Sequence, residues 1–468
     1  MRRSQRYLMI LPLALMLLLC ASQGQENTYA LKGTLVTPTE VIENGTILIV
    51  GQKIKALGSD LTLPAGTKVI ETGGFIYPGL IDLHNHLTWN LLPRWKPGQL
   101  FSTRYEWQQS QMYKLMLTTP EAKIMDAGLD CDANRYGEIK AIVGGATAVT
   151  GSLNPRGDPR KIKCLAGMAR NLDFSSGLYT GGASEKLRYE IFPLQLSFSD
   201  AATIRDQLAK HVLSAFIVHL SEGKSDDANA AREYAMFKAR GFLVAGTSII
   251  HGVALHQAEF QEMKKAGVGL IWSPRSNFEL YEETTDVAAA RQAGLTIAIA
   301  PDWSPSGSDG MLQELKYAST WNQGQRPTPF SDSELVQMAT INAATLAGLS
   351  DKIGRLTPDH FADLLVLKKK NEKSDAFRSL LQANVTDVEL VIIDGIPAYG
   401  KPDVIRKIVP HVQLDLITLC GVSKGLNFES ERIVQGTTPE PWGNTTDALA
   451  QILGNWGLPL SPLAECIQ

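Results

Sequence analysis

His84 and His86 close the apolar run IYPGLIDLHNH, Ile76 to His86, which carries more chemistry than any other stretch of the chain. On a strand, side chains two residues apart share a face, so both imidazoles can grip one cation while Asn85 faces the opposite layer. One His-x-His pair is weak evidence, because packing and surface roles also use histidine, but this pair closes a Pro-Gly-led strand.

Further polar residues recur at the ends of other apolar runs. His219 ends AFIVH, with Glu222 three residues on; His251 follows TSII; Asp302 follows LTIAIAP; Asn277 ends WSPRSN. A single histidine so placed is more often structural, but four histidines and an aspartate at equivalent ends argue against coincidence. Asp309 in GSDGML competes with Asp302 for the carboxylate role. Ser304 to Ser308 before it are turn-like, whereas Asp302 directly follows an apolar strand, so Asp302 is preferred. Asp82 receives no site role, and His211, His256, His360 and His411 read as surface or capping residues.

The elements that must position these groups are eight apolar runs: IYPGLIDLHNH, GATAVTGS, SGLYTGG, YEIFPLQLS, AFIVHLSEG, TSIIHGVAL, VGLIWSPRSN and LTIAIAPDW. Helical segments between them, such as DDANAAREYAMFKARG and HQAEFQEMKKAG, end in glycine. This alternation predicts an α/β fold, a (β/α)8 TIM barrel whose site lies at the C-terminal strand ends. GTILIV and KIKALG upstream, with ADLLVL and VELVIIDGIPAYG downstream, are expected to form a small β-sandwich flanking the barrel. The expected organisation is a leader over 1–24, sandwich segments over 25–75 and 353–400, the barrel over 76–352, and a C-terminal extension over 401–468 packed on the surface. Gly144-Gly145 ends a helix and precedes a strand, the wrong order for a phosphate loop, and reads as a turn.

With 468 residues the chain can bury a large core unaided. Its net charge of -3 falls to -6 if Arg2, Arg3 and Arg6 leave with the leader, and no basic run is long enough to grip nucleic acid. Small-molecule partners fit better, and a homo-oligomer is compatible with the composition. The apolar stretch Tyr7 to Ala21 reads as a secretory signal, too short to span a membrane comfortably. The mature protein is therefore expected to be secreted or periplasmic, without stable membrane insertion. Cys20 follows Leu19, where a lipobox wants a small residue, so a lipoprotein is the lesser reading. Cys131, Cys164, Cys420 and Cys466 permit two bridges whose pairing the sequence leaves open.

PGLIDLHNH, HLSEG, IHGVALH, SPRSN, APDW and TINAATLAGLSDKIGRLTPDHFADLLVL together resemble the amidohydrolase superfamily of metal-dependent hydrolases over roughly residues 28 to 400. Their order is similar to the branch of cytosine, guanine and adenosine-type deaminases and triazine hydrolases, where a histidine and a glutamate three apart mark a one-metal site. The resemblance assigns His84, His86, His219 and Asp302 to one divalent metal ion, zinc or iron, with Glu222 and His251 beside it. Such an ion lowers the pKa of a bound water from about 15.7 towards about 7. Asp302 would accept the water proton, His251 would orient the nucleophile or polarise the electrophile, and Glu222 would carry a proton to the substrate nitrogen. The implied activity is hydrolysis of a carbon-nitrogen bond other than a peptide bond, by deamination or opening of a cyclic amide.

APDW and DWSPSGSDG depart from the deaminase pattern, so the substrate pocket is expected to be the chain's own. The segment TWNLLPRWKPGQLFSTRYEWQQ, with Trp89, Trp95, Tyr105, Trp107, Arg94, Lys96 and Arg104, is expected over the site mouth and would suit a planar or anionic substrate. A helix of packing aromatics from Phe101 onward is the bland alternative. Trp89, Arg275, Asn277 and Trp303 are the candidate substrate contacts. Two rival readings keep the fold. One is a binuclear site like those of hydantoinases, dihydroorotases and some dipeptidases, needing Lys186 or Glu190 as a bridging ligand; the other is a catalytically silent binding module.

Overall fold

The computed structural model describes residues 27–466 apart from 38–39, 155–160, 162–163, 165–166, 175–184 and 432–440. The expected leader and the run SGLYTGG lie outside the described residues. Eight short parallel strands form two arcs. Numbered along the whole chain, the first arc holds β5 (Leu80–Asp82), β6 (Ala146–Val149) and β7 (Arg170–Asn171). The second holds β8 (Leu187–Glu190), β9 (Ala215–Leu220), β10 (Thr247–His251), β11 (Gly269–Trp272) and β12 (Ile297–Ile299). The arcs meet where Asn85 and Asp302 form a parallel bridge, the Asp302 N–H donating to the His84 carbonyl at 2.9 Å.

β5, β6 and β9 to β12 are buried at every position, as parallel strands covered on both faces must be. Ile81, Ala148, Leu187, Ile217, Ile250, Ile271 and Ala298 share one buried cluster, so alternate residues of nearly every parallel strand meet in a common interior. Their neighbours Phe216, Val218, Ile249, Leu270 and Ile297 join the larger core that also takes in the helices. The run YEIFPLQLS contributes strand only to Glu190, and Pro193–Gln195 is already a 3-10 turn because proline cannot donate to a ladder.

The flanking segments supply β1 (Thr28–Val36), β2 (Val41–Val50), β3 (Lys53–Gly58) and β4 (Lys68–Pro78) before the arcs, and β13 (Leu364–Leu367), β14 (Val388–Ile393), β15 (Ile396–Gly400), β16 (Asp415–Leu419) and β17 (Val422–Leu426) after them. The sequence reading expected a sandwich here. Hydrogen bonding joins these strands into one continuous nine-stranded sheet, which curls so that the β1 residue Tyr29 donates its hydroxyl to the Gly395 carbonyl of the β14–β15 turn at 3.1 Å. The reason lies in β4, which uses both edges: it runs parallel to β1 on one side and antiparallel to β13 on the other, Tyr77 opposite Leu365. One face of the sheet packs on Ile405 and Ile408 of the helix Pro402–Ile408. Buried Arg170 fastens the sheet to the arcs, its Nε and NH2 donating to Asp363 at 2.5 and 2.9 Å and its NH2 also to Asp394.

Beyond residue 401 the chain is not mere surface covering. β16 and β17 extend the sheet, and the helix Trp442–Gly454 packs against Thr119–Asp126 and Asp130–Val143, Trp442 stacking on Tyr136 at 5.7 Å. The disulfides pair Cys131 with Cys164 and Cys420 with Cys466. No helix among the described residues is long and apolar enough to cross a membrane.

Candidate metal centre

β5 ends at Asp82, so His84 and His86 lie beyond the strand, and simple alternation cannot aim them. A buried turn does. Asp82 accepts the His84 N–H at 3.1 Å and the Asn85 amide at 2.6 Å, while Asn85 Oδ1 accepts the His86 N–H at 2.7 Å and the Asn90 amide at 2.7 Å. Asn90 Oδ1 accepts from the Ser304 N–H at 2.9 Å, tying this turn to the loop after Asp302.

His219 follows the inward parity of Ala215 and Ile217, and Asp302 that of Ala298 and Ala300. His251 has the parity of Ile249, which belongs to the outer core. Its left-handed backbone, φ 63°, turns the ring inward to 4.8 Å from His84. Ser221 and Asp302 are left-handed too, at φ 53° and 68°. Each such non-glycine residue costs of order 1 kcal/mol or more, strain that concentrates where geometry serves function.

The ligand atoms converge. His84 Nε2 lies 3.0 Å from both His219 Nε2 and Asp302 Oδ1, and His86 Nε2 lies 3.3 Å from His219 Nε2 and 3.4 Å from Asp302 Oδ1. Burial pushes the His84 imidazole down to about 4, and burial together with the neighbouring rings holds His219 well below its ordinary value. Burial alone would raise the Asp302 carboxyl, but His84 and His86 outweigh it and hold it well below the usual carboxylate range. Neutral imidazole lone pairs and a carboxylate aimed at one point form a donor set that fits a divalent cation.

Beside this set Glu222 Oε2 stands 3.6 Å from His251 Nε2 and 3.9 Å from Arg104. One helix, Pro274–Tyr281, and the serine before it support three site residues. Ser273 Oγ lies 2.6 Å from His84 Nδ1, Asn277 Oδ1 lies 2.8 Å from His251 Nδ1, and the Tyr281 hydroxyl donates to Glu222 Oε1 at 2.8 Å. Steps of four residues put all three on one helix face. Asn277 thus stands behind His251 rather than in the pocket.

A cavity opens over the histidines, walled by Trp89, Trp107, Tyr113, Phe192 and Trp303, with Glu222, His251 and Asp302 at its floor. Trp89 and Trp303 therefore lie where substrate contacts were expected. Arg275 does not line it; its guanidinium reaches Glu465 at 3.3 Å. Trp95 is wholly buried among Phe101, Trp107 and Tyr113, so the aromatic segment both packs and lines. Arg94 donates to the Gly307 carbonyl at 2.8 Å and Arg104 to Glu233 at 3.0 Å, which commits both cations to protein partners. Asp309 pairs with buried Lys140 at 2.9 Å, away from the histidines.

Tyr189 of β8 went unremarked in the sequence. Its ring stands 5.6 Å from that of His219 and 6.2 Å from that of His86, and its hydroxyl donates to the Asn85 carbonyl at 3.1 Å. Glu190 turns to Arg188 at 3.1 Å, and neither it nor Lys186 joins the groups able to hold a metal among the described residues. Asp82, Ser273 and Tyr281 were missed likewise. The i, i+4 spacing of Ser273, Asn277 and Tyr281 is their one sequence signal, and reading SPRSN as a strand end hid it.

A model of the Amidohydrolase family matches residues 166–396. Over that stretch, just under half of its length, the chain resembles the amidohydrolase superfamily. Similar members include a 5-methylthioadenosine/S-adenosylhomocysteine deaminase of Syntrophomonas wolfei subsp. wolfei, 23% identical over 404 residues, covering 76% of this chain and 88% of that protein. A 5'-deoxyadenosine deaminase of Methanothermobacter thermautotrophicus is 22% identical, covering 77% and 92%. Among solved amidohydrolase-like folds, an adenosine deaminase from Xanthomonas campestris with bound zinc superposes with a TM-score of 0.67 at 16% identity, covering 92% of this chain and 98% of that one. A mutant atrazine chlorohydrolase from Arthrobacter aurescens, complexed with zinc and atraton, gives 0.66 at 17% identity, covering 79% and 94%. At these identities the structural likeness speaks to fold.

Proposed function

We propose that this chain is an exported, one-metal deaminase of a planar nitrogen heterocycle, built on a closed (β/α)8 barrel. The observation that carries the reading is the convergence of His84, His86, His219 and Asp302 beside the Glu222–His251 pair, beneath an aromatic cavity. Support for closure comes from the Asn85–Asp302 bridge and the shared interior, and support for export from the two disulfides. A single ion is favoured because β8 presents Tyr189, which has no second carboxylate or lysine to offer, towards the histidines.

When bound, a zinc or iron ion supplies the Lewis acidity that makes water a usable nucleophile near neutral pH. The side chains do the rest. Trp89 and Trp303 pack together in the cavity wall, offer apolar surface to the heterocycle and exclude bulk water. Asp302 takes the proton of the attacking water, and His251, fixed through Nδ1 by Asn277, steadies the charge that develops at the attacked carbon. Glu222 delivers its proton to the ring nitrogen, the proton held by Asp302 passes to the departing amine, and as ammonia leaves and the carbonyl forms, the hydroxyl proton returns to Glu222.

The test is metal content per subunit followed by ammonia release from adenosine, 5'-deoxyadenosine, 5-methylthioadenosine, S-adenosylhomocysteine, guanine and cytosine, with Glu222→Gln and Asp302→Asn in parallel. The expected result is one ion per chain, turnover of at least one heterocycle, and a loss of about 10²–10⁴-fold in each variant. Two ions per chain would redirect the assay to cyclic amides and dipeptides. A ligand bound equally well by the parent and by Asp302→Ala, without ammonia release, would make the fold a silent binding module.

A further inference from the structure

We propose that Glu465, near the end of the described chain, is a positioning residue that clamps together the three loops forming the site. The inference rests on the reading of the histidine cluster as the catalytic centre. Glu465 comes from a strap that leaves the helix Trp442–Gly454, crosses the mouth-side loops and ends at the Cys420–Cys466 disulfide. The strap is pinned along its course: the Ser461 N–H donates to the Leu91 carbonyl at 2.9 Å, buried Lys140 donates to Ser461 Oγ at 2.9 Å, and the Glu465 N–H donates to Asp309 at 2.7 Å.

The Glu465 carboxylate then reaches separate parts of the site. Its Oε2 lies 3.3 Å from Arg275 NH2 and accepts from Gln313 at 2.9 Å, while Oε1 lies 3.7 Å from Arg94 Nε. Arg275 sits on the helix whose Asn277 and Tyr281 hold His251 and Glu222. Arg94 follows the His84–His86 turn and Trp89 along the chain, and it donates to the carbonyls of Ser304 and Gly307 in the loop after Asp302 and Trp303. The Glu465 carboxylate therefore ties the strap to the supporting helix and, through Arg94, to the aspartate loop, sharing both arginines with Glu279 of that helix, 2.9 Å from Arg94 NH2 and 3.9 Å from Arg275 Nε. Two arginines meeting one partly buried carboxylate have more to lose from its removal than an exposed pair would.

The test compares the zinc-loaded mature chain with Glu465→Gln and with the double variant Cys420→Ser/Cys466→Ser, which frees the strap without touching Glu465. All are made in a Trp456→Phe background because Trp456 is itself exposed. Glu465→Gln should keep zinc stoichiometry and kcat within about twofold, raise KM for the substrate found by ammonia release about tenfold, and increase acrylamide quenching of tryptophan emission as Trp89 and Trp303 loosen. The disulfide variant should do the same, and combining the two should add little, since both act through one contact. Unchanged quenching and KM in Glu465→Gln would overturn the proposal; so would a parallel fall in kcat, zinc and melting temperature, the mark of a merely structural residue. If no substrate is found, the proposed reaction fails, and the quenching comparison alone decides the clamp.

Discussion

At the scale of single residues, the site is an exercise in what stands behind each chemical group. Asn277 and Tyr281 touch no substrate position, yet they fix the ring of His251 and the carboxylate of Glu222. Asn277→Leu should cost about 10–100-fold in kcat, and Tyr281→Phe somewhat less, with metal content unchanged in both by elemental analysis. Glu314 gives a pH signature. Burial, against hydrogen bonds from Ser308 and Arg275, pushes its carboxyl up to about 7, above the ordinary 4.5 it regains on unfolding. The folded state thus binds its proton more tightly, a stabilisation complete below pH 4.5 that is lost as pH rises towards 7, by at most about 3 kcal/mol. Glu314→Gln cannot ionise, so its melting temperature relative to the parent should climb between pH 4.5 and 7; a flat difference would show that Glu314 does not titrate there.

At the scale of elements, the decisive unit is the turn after β5, where Asp82 satisfies two buried N–H donors. Asp82→Ala should lower stability by roughly 2–4 kcal/mol and weaken metal retention, read by denaturant melts and chelator challenge. Sequence could name His84, His86, His219, His251 and Asp302 because each follows an apolar run that became a strand. It could not place the third strand, Arg170–Asn171, because two polar residues paired to one neighbour leave no apolar period to read. Nor could it see Tyr189 as a site neighbour, since the half-buried pattern of β8 fits any edge strand. The sheet was legible as two segments that meet, but its continuous pairing depends on β4 using both edges, which composition does not encode.

At the scale of the whole molecule, the four described cysteines are all paired. Closing loops of 33 and 46 residues stabilises the fold by roughly 3–4 kcal/mol each if the effect is chiefly on the unfolded chain. A chain of residues 25–468 should show no free thiol to Ellman's reagent under denaturing conditions and should melt several degrees lower after reduction. The pairing of β4 with β13 also has a consequence for synthesis. A chain emerging from its N-terminus makes β4 nearly 300 residues before its partner, and throughout that interval one edge of an apolar strand stands open. Expression of residues 27–363, every parallel strand included, should therefore give aggregates, and supplying 364–468 as a separate chain should recover soluble protein. The molecule is sealed from its far end, so its earliest folded part is also the part that waits longest for protection.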